Sequence, residues 1–280
     1  MIVAPRIERK TEDQLRAMRA AGLVVARILE QLRQAARPGV TTAKLDGLAR
    51  AEIARVGAVS SFLGYDAGYG LPPFPAVTCI SVNDEVVHGI PGPRVLVEGD
   101  LVSIDFGVSL AGWHGDSAIT VGIGELPAER ARLSEVTRQA LWAGIAAVRA
   151  GGRIGDIGHA VEHSIRREPV RYGIVAEFTG HGIGTAMHME PDVPNLGRRG
   201  RGVPLTTGMT IAIEPMVTLG RAALATLDDE WTVVTRDRSA AAHWEHTVAI
   251  TERGLWVLTA ADGGEAELAA RGVPFGPLGD

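Results

Sequence analysis

The chain has 280 residues, enough for one large domain of mixed helix and strand or for two smaller domains. Its formal net charge of −5 offers no basic field to a nucleic-acid backbone, so nucleic-acid binding is not indicated. A single cysteine excludes an internal disulfide and fits a reducing compartment, and no run of about 18 apolar residues is present to span a membrane, so we expect a cytoplasmic protein. The expected oligomeric state is a monomer.

The first predicted elements are two amphipathic helices. Thr11-Glu12-Asp13-Gln14 matches a capping box and predicts a helix start. Apolar residues then recur at alternating steps of three and four, as on one face of a helix, at Leu15, Met18, Gly22, Val25, Leu29 and Leu32. Pro38-Gly39 ends this helix, and Thr42 is expected to cap a second one. Its predicted buried face comprises Leu45, Leu48, Ala49, Ile53 and Val56.

The same plan recurs after residue 126. Pro127 stands where a helix would begin, and Gly151-Gly152 would end that helix. Its predicted apolar side comprises Leu133, Val136, Ala140 and Val148, and the next helix contributes Ile154, Ile157, Val161 and Ile165. A shift of 112 positions places Leu45, Ala49 and Ile53 on Ile157, Val161 and Ile165. We therefore infer a duplicated helix pair.

Each helix pair is followed by runs of β-branched residues bounded by turn residues, which are typical of strands. These runs lie at 77–82 and 101–106, and again at 209–214, 231–235 and 246–250. Consecutive strands with short turns favour antiparallel sheets, so the predicted fold class is α+β. We expect a single domain over residues 1–262, with repeated halves at about 11–125 and 126–260, and a poorly packed C-terminal tail at 263–280.

Two of these apolar strands are interrupted by an acid at the same place in the repeat. Asp105 follows Leu-Val-Ser-Ile, and Glu214 follows Thr-Ile-Ala-Ile, at an offset of 109 residues. Burying an ionised carboxylate without a partner costs several kcal/mol. Acids in such strands therefore indicate a site that needs them rather than surface ion pairs.

A second pair of acids supports this interpretation. Asp116 opens DSAITVG, and Glu245 opens EHTVAIT. A hairpin turn at 109–112 would set Asp105 directly opposite Asp116, where the two carboxylates would repel unless a cation lay between them. Glu214 and Glu245 cannot be placed in this way, because a predicted strand at 231–235 separates them. Their proximity is inferred from the repeat alone.

A histidine completes a candidate metal site. HGIP at 88–91 and HGIG at 181–184 each place a histidine before a glycine. Four strand carboxylates and one imidazole make an oxygen-rich site for two divalent ions, of which manganese, ferrous iron and cobalt fit best and zinc is the remaining option. Such a pair of ions can activate water and polarise a carbonyl group, which is the equipment for hydrolysis.

These motifs together resemble the type I methionine aminopeptidases. The resemblance runs from about residue 8 to about 260 and is carried by HGIP, SIDFG, GWHGDSAIT, GHGIG, AIEPM and WEHTVAIT, in the family's order. It implies the pita-bread fold, in which two pseudo-symmetric halves enclose a dinuclear metal site. It also implies the metal ligands, which would be Asp105, Asp116, His181, Glu214 and Glu245.

The resemblance further implies catalytic roles and a substrate pocket. His88 would contact the scissile amide or leaving nitrogen, His188 would stabilise the carbonyl oxygen, and Glu214 would transfer a proton from the attacking water. The methionine pocket would be formed by Tyr65, Phe74, Cys79, Met187, Met216 and Trp231. The segment between Tyr65 and Phe74 is longer than usual in the family, so Tyr69 is an alternative to Phe74 as the aromatic that caps the pocket.

The implied activity is removal of the initiator methionine from nascent polypeptides with a small second residue, and the ribosome is a candidate partner. One alternative is an Xaa-Pro aminopeptidase. However, the first core helix begins near residue 12, so the additional N-terminal domain of those enzymes is not expected. The other alternative is a pita-bread binding protein that has lost catalysis. All five ligand positions and both auxiliary histidines are filled, which favours an enzyme.

Other histidines are candidates for competing sites. His159, Glu162 and His163 fit the zinc-peptidase pattern H-x-x-E-H, but they fall off the predicted buried stripe of their helix, which indicates a solvated face. His114, His243 and His246 flank candidate ligands and are equally compatible with orienting carboxylates and with surface positions.

Overall fold

The computed structural model describes residues 7–66, 68 and 70–279, which form five helices and fifteen short strands. The helices are α1 (Glu12–Ala35), α2 (Thr42–Val56), α3 (Ala128–Ala147), α4 (Ile154–Arg166) and α5 (Glu265–Ala270). The strands are β1 (Val59–Ser60), β2 (Cys79–Val82), β3 (Glu85–Val87), β4 (Leu101–Leu110), β5 (Trp113–Gly122), β6 (Gly173–Ile174), β7 (Gly180–Gly182), β8 (Met189–Val193), β9 (Thr210–Ile213), β10 (Met216–Thr218), β11 (Leu224–Thr226), β12 (Val233–Thr235), β13 (Ala241–His243), β14 (His246–Ile250) and β15 (Leu255–Val257). Within these residues, no helix is both long and apolar enough to cross a membrane.

The predicted helices form where the sequence places them, with two differences in α2, one at its cap and one on its predicted buried face. The Thr11 side chain caps α1 and Gln14 returns the bond, which confirms the capping box. The cap of α2 is Thr41, one residue before the predicted position. The prediction that Leu48 is buried is wrong, because its side chain is 38% exposed. The narrower stripe of Leu45, Ala49 and Ile53 covers the contact of α2 with the core.

The inferred repeat of the helix pairs is confirmed in the packing. All three residues of the α2 stripe and their three counterparts in α4 are buried. In the first half, α1 packs on β4 and β5, and in the second half α3 packs on β9 and β13. Each half therefore covers its own sheet with its own helix pair.

Four antiparallel sheets connect these elements. The first half contains β1–β4–β2 with β5 on the other side of β4, and the second half contains β15–β14–β9–β7–β8. Two three-stranded sheets, β13–β10–β6 and β11–β12–β3, complete the set. In the last of these, β3 of the first half pairs with β12 of the second, so the halves share a sheet. The architecture is α+β, as the sequence predicts.

The register of the β4–β5 hairpin differs from the predicted one. The turn is the pair Ala111-Gly112, both with positive φ, at 50° and 82°, as in a type I′ turn. The hairpin centre therefore lies one residue later than predicted, and Asp116 pairs with Gly107 while Asp105 pairs with Ala118. The prediction that the two acids are directly opposed is wrong. They lie on the same face as diagonal neighbours.

The C-terminal residues pack against the second half, so the expectation of a poorly packed tail is also wrong. Helix α5 buries Leu268 completely, and Arg138 of α3 binds Glu267 with an Nη1–Oε1 distance of 2.6 Å. Further along, the Leu255 N–H donates to the Pro274 carbonyl and the Gly276 N–H donates to the Leu255 carbonyl. Backbone pairing together with the burial of Leu268 fixes this segment, and no apolar stripe in the sequence marks it.

Replacing Leu268 with alanine tests this packing. We expect Leu268→Ala to lower the free energy of unfolding by about 3 kcal/mol, because a fully buried leucine leaves a cavity, and to lower the Tm by about 5–10 °C. Thermal unfolding followed by circular dichroism measures the change, with the exposed Leu48→Ala as the matched control. Equal Tm values for both variants would show that α5 contributes no stability.

Candidate active site

Glu214 and Glu245 lie opposite each other, each in the short gap between two consecutive strands. The strand pairs on either side of these gaps have the same register. Strands β9 and β14 pair Ile213 with His246, and strands β10 and β13 pair Met216 with His243. Continuing either ladder brings Glu214 opposite Glu245, and the Trp244 N–H donates to the Pro215 carbonyl in the same register. The intervening residues 219–240 form a separate excursion that includes β11 and β12. This arrangement explains why distance along the chain does not reveal the pair.

Backbone and hydroxyl bonds join the two halves at the same level. The Glu245 N–H donates to the Ala118 carbonyl at 2.9 Å, and the Thr247 hydroxyl donates to the Asp116 carbonyl at 2.8 Å. The Thr120 hydroxyl donates to the His243 carbonyl at 2.6 Å. Strand β5 of the first half therefore lies beside β13 and β14 of the second, and Asp116 is brought to Glu245.

His181 reaches this group from β7. Its Nε2 lies 3.6 Å from Oε1 of Glu214 and 4.0 Å from Oδ2 of Asp116, while its Nδ1 lies 2.9 Å from the Gly182 carbonyl oxygen. Ligand atoms of Asp116, His181 and Glu245 all lie within 4.8 Å of one another. Because Nδ1 donates to the carbonyl, the Nε2 lone pair is directed at the carboxylates.

The five predicted ligand residues line one cavity of about 230 Å³. Burial raises the pKa of Asp116 to about 7, and burial with the neighbouring acids raises the pKa values of Asp105 and Glu245 well above their usual range. Burial and the charge of Asp116 also raise the pKa of Glu214 well above its usual range. Each ionised carboxylate opposes the ionisation of its neighbours. Four ionised carboxylates this close together therefore destabilise the folded protein unless a cation compensates for their charge.

Unpaired buried atoms indicate that divalent metal ions fit here. Oδ1 of Asp105, Oδ1 of Asp116 and Oε1 of Glu245 are buried without a hydrogen-bond partner. Buried polar atoms normally have partners, so such a group indicates a missing ligand. Burial lowers the pKa of His181 to about 3, which keeps its imidazole neutral and able to bind a metal ion. A donor set of carboxylate oxygens and one nitrogen suits divalent metal ions.

His88 and His188 lie beside this group in the same cavity. His88 has a positive φ of 59°, an uncommon conformation for a residue other than glycine, and its ring lies 5.4 Å from that of Phe178 and 5.9 Å from that of Trp231. His188 lies edge-on to His181, with ring centroids 4.4 Å apart. Both imidazoles therefore face the space in front of the candidate ligands.

The rest of the cavity is apolar. All six predicted pocket residues line it, and Phe74 is buried in its wall, 5.2 Å from Trp231 between ring centroids. The alternative cap, Tyr69, lies outside the described residues. Sequence reasoning missed Phe62, Val87, Phe178 and Thr179, which also line the cavity. Phe178 and Thr179 directly precede GHGIG, so proximity to that motif was the available signal.

The remaining histidines have different environments. His243 lines the cavity with a buried, unpartnered Nε2, 3.6 Å from Oε2 of Glu214. His114 lies 2.8 Å from the Ser61 hydroxyl, and His246 lies 2.9 Å from the Thr259 hydroxyl. His159 and His163 are exposed on α4, as predicted. Only His243 of the three flanking histidines thus faces a candidate ligand.

The chain is similar to known metallopeptidases along most of its length. Residues 16–252 match the model of metallopeptidase family M24. The chain is 51% identical to methionine aminopeptidase 1 of Mycobacterium tuberculosis over 258 residues, covering 90% of this chain and 95% of the relative. It is 43% identical to methionine aminopeptidase 1 of Bacillus subtilis, covering 89% and 98%. The solved methionine aminopeptidase of Rickettsia prowazekii has a TM-score of 0.86 at 37% identity, covering 91% of this chain and 100% of that one.

Proposed function

The chain belongs to metallopeptidase family M24 and, within it, to the methionine aminopeptidases, and we propose that it removes the initiator methionine from nascent polypeptides whose second residue is small. The fold of two halves is the pita-bread fold of its relatives. The observation that carries the proposal is the cavity that combines four buried or half-buried carboxyl groups and His181 with an apolar wall.

Two divalent ions are proposed to bind at Asp105, Asp116, His181, Glu214 and Glu245. Bound there, they would supply an activated water and polarise the scissile carbonyl. Manganese, ferrous iron and cobalt suit these donors, with zinc as a further option. The unpaired oxygens of Asp105, Asp116 and Glu245 support this assignment.

The side chains around the ligands are proposed to bind and orient the peptide. Glu214 would accept a proton from the attacking water and pass it on. His188 would donate an N–H to the carbonyl oxygen as negative charge develops there. Burial lowers the pKa of His88 to about 4, so its imidazole is neutral and would form a hydrogen bond with the scissile amide.

The apolar wall is proposed to hold the methionine side chain. Cys79, Met187 and Met216 provide soft sulfur atoms, and Tyr65, Phe74 and Trp231 provide aromatic surface. A flexible thioether packs well against such surfaces. Burial holds the pKa of the Cys79 thiol well above its usual range, so this side chain would act as an apolar wall rather than as a nucleophile.

Peptide assays test this proposal against its alternatives. We expect cleavage of Met-Ala-Ser in the presence of manganese, cobalt or ferrous iron, and loss of cleavage with a chelator. An Xaa-Pro tripeptide is the control substrate. Cleavage of only the Xaa-Pro peptide would favour the Xaa-Pro aminopeptidase alternative, and binding of both peptides without hydrolysis would favour a non-catalytic protein. Activity that survives chelation would contradict the metal mechanism.

The proposed substrate also implies where the protein works. Nascent polypeptide N-termini emerge from ribosomes in the cytoplasm, so we propose a cytoplasmic enzyme that acts there as a monomer. Docking on the ribosome itself would be measured by co-sedimentation.

A further inference from the structure

The hydroxyl of Tyr65 contacts the imidazole of His188. Its oxygen lies 2.6 Å from Nδ1, and the ring centroids are 5.1 Å apart at an interplanar angle of 71°. Within the described residues, the Tyr65 hydroxyl has no other hydrogen-bond partner. A phenol has a proton to donate, and an imidazole nitrogen is a stronger acceptor than a phenol oxygen, so the hydroxyl donates to Nδ1. A neutral imidazole that accepts at Nδ1 carries its proton at Nε2.

The backbone holds Tyr65 in this position. Its N–H donates to the Phe62 carbonyl at 2.9 Å, and its carbonyl accepts from the Phe74 N–H at 3.0 Å. The Gly64 N–H donates to the Phe74 carbonyl at 2.8 Å, which closes the base of the segment between the two aromatic residues. That segment is also tied to the pocket, because Nε1 of Trp231 donates to the Pro72 carbonyl at 2.9 Å. Tyr65 therefore approaches His188 from a fixed backbone.

We propose that Tyr65 is a positioning residue whose hydroxyl fixes the tautomer and ring orientation of His188, so that the Nε2–H of His188 points at the substrate carbonyl oxygen. This inference rests on the proposed function, in which His188 stabilises that oxygen. It adds a role to Tyr65 beyond that of a pocket wall. The wall and the hydroxyl are separable, because phenylalanine keeps the ring and removes only the oxygen.

Loss of the hydroxyl would affect turnover rather than binding. Without the hydroxyl, the imidazole of His188 would populate both tautomers and more than one ring orientation. Only one combination of tautomer and orientation presents an N–H donor to the substrate carbonyl oxygen. A hydrogen bond of ordinary strength corresponds to about a tenfold change in rate. We expect Tyr65→Phe to lower kcat by about tenfold with little change in KM, the pattern of an interaction made in the transition state.

Steady-state kinetics on Met-Ala-Ser with manganese measure the effect. Tyr172→Phe is the matched control, because Tyr172 is buried outside the cavity, and we expect wild-type kinetics from it. A double-mutant cycle with His188→Ala tests the route of action: Tyr65→Phe should cost nothing further in that background. An equal loss in both backgrounds would overturn the proposal, because the hydroxyl would then act on the substrate directly. An unchanged kcat would overturn it as well.

A spectroscopic test separates this proposal from the proposed function. In the metal-free protein, 15N chemical shifts of the His188 ring distinguish a protonated Nε2 from a protonated Nδ1. We expect the Nε2–H tautomer in the wild type and a mixture in Tyr65→Phe. A wild-type Nδ1–H tautomer, or identical spectra, would overturn the proposal even if Met-Ala-Ser is cleaved. The expected spectra with no cleavage would instead overturn the proposed function and leave the Tyr65–His188 contact standing.

Discussion

Replacing Asp116 with alanine is expected to abolish both peptidase activity and tight metal binding. Asp116 is buried on the face shared with Asp105, and its Oδ2 lies 4.0 Å from Nε2 of His181. Its ligand atom and those of His181 and Glu245 lie within 4.8 Å of one another. Strand β5, which carries Asp116, pairs with β4 of the first half and lies beside β14 of the second. We expect kcat/KM to fall by more than about 10³-fold, or about 4 kcal/mol.

Two measurements and one control make this result interpretable. Kinetics on Met-Ala-Ser give the loss of activity, and calorimetric titration of the metal-free protein with manganese gives the loss of affinity. His163→Ala is the control, because His163 is exposed on α4 and belongs to a motif that resembles a zinc site. We expect this control to keep wild-type values. Retention of activity in Asp116→Ala would refute the assignment of Asp116 as a ligand.

The candidate ligand acids could be recognised from the sequence because a charged carboxylate is not expected inside a buried, apolar strand. Asp105 and Glu214 interrupt apolar strands, and such an interruption is costly unless a partner is present. That argument uses only the local sequence and an offset, and the structure brings both residues to one cavity. The duplicated helices were predictable for a similar reason, since the stripes of α2 and α4 repeat at one spacing and are buried alike.

What the sequence did not reveal depends on pairing between distant segments. The Glu214–Glu245 pair arises from the register of β9 with β14, two strands that are separated along the chain by β10 to β13. The pairing of β3 with β12 likewise joins the two halves through backbone bonds that no side-chain pattern marks. The turn at Ala111-Gly112 was misplaced by one residue, because Ala111 adopts a positive φ that its side chain does not favour.

Stability without metal is expected to fall as the pH rises from 6.5 to 8.5. The four buried carboxyl groups have raised pKa values, about 7 for Asp116, so the folded protein binds more protons than the unfolded chain above the ordinary carboxyl range. The free energy of unfolding then decreases as pH rises through the folded pKa values. Histidines with lowered pKa, such as His181 at about 3, act in the opposite direction. Their effect is nearly complete about one pH unit above the unfolded histidine pKa of about 6.5, so the carboxyl groups dominate the upper part of this window.

Divalent metal should remove or reverse that trend. Metal binding requires ionised carboxylates, so it becomes more favourable as pH rises. A ligand present at 100 times its Kd raises the free energy of unfolding by about 2.7 kcal/mol. We expect the Tm with a chelator to fall between pH 6.5 and 8.5, and the Tm with manganese to stay level or rise, so that the two curves diverge by about 5–10 °C. Asp116→Asn removes one of the raised carboxyl groups and should flatten the chelator curve. Parallel curves with and without manganese would mean that the buried acids are not compensated by metal.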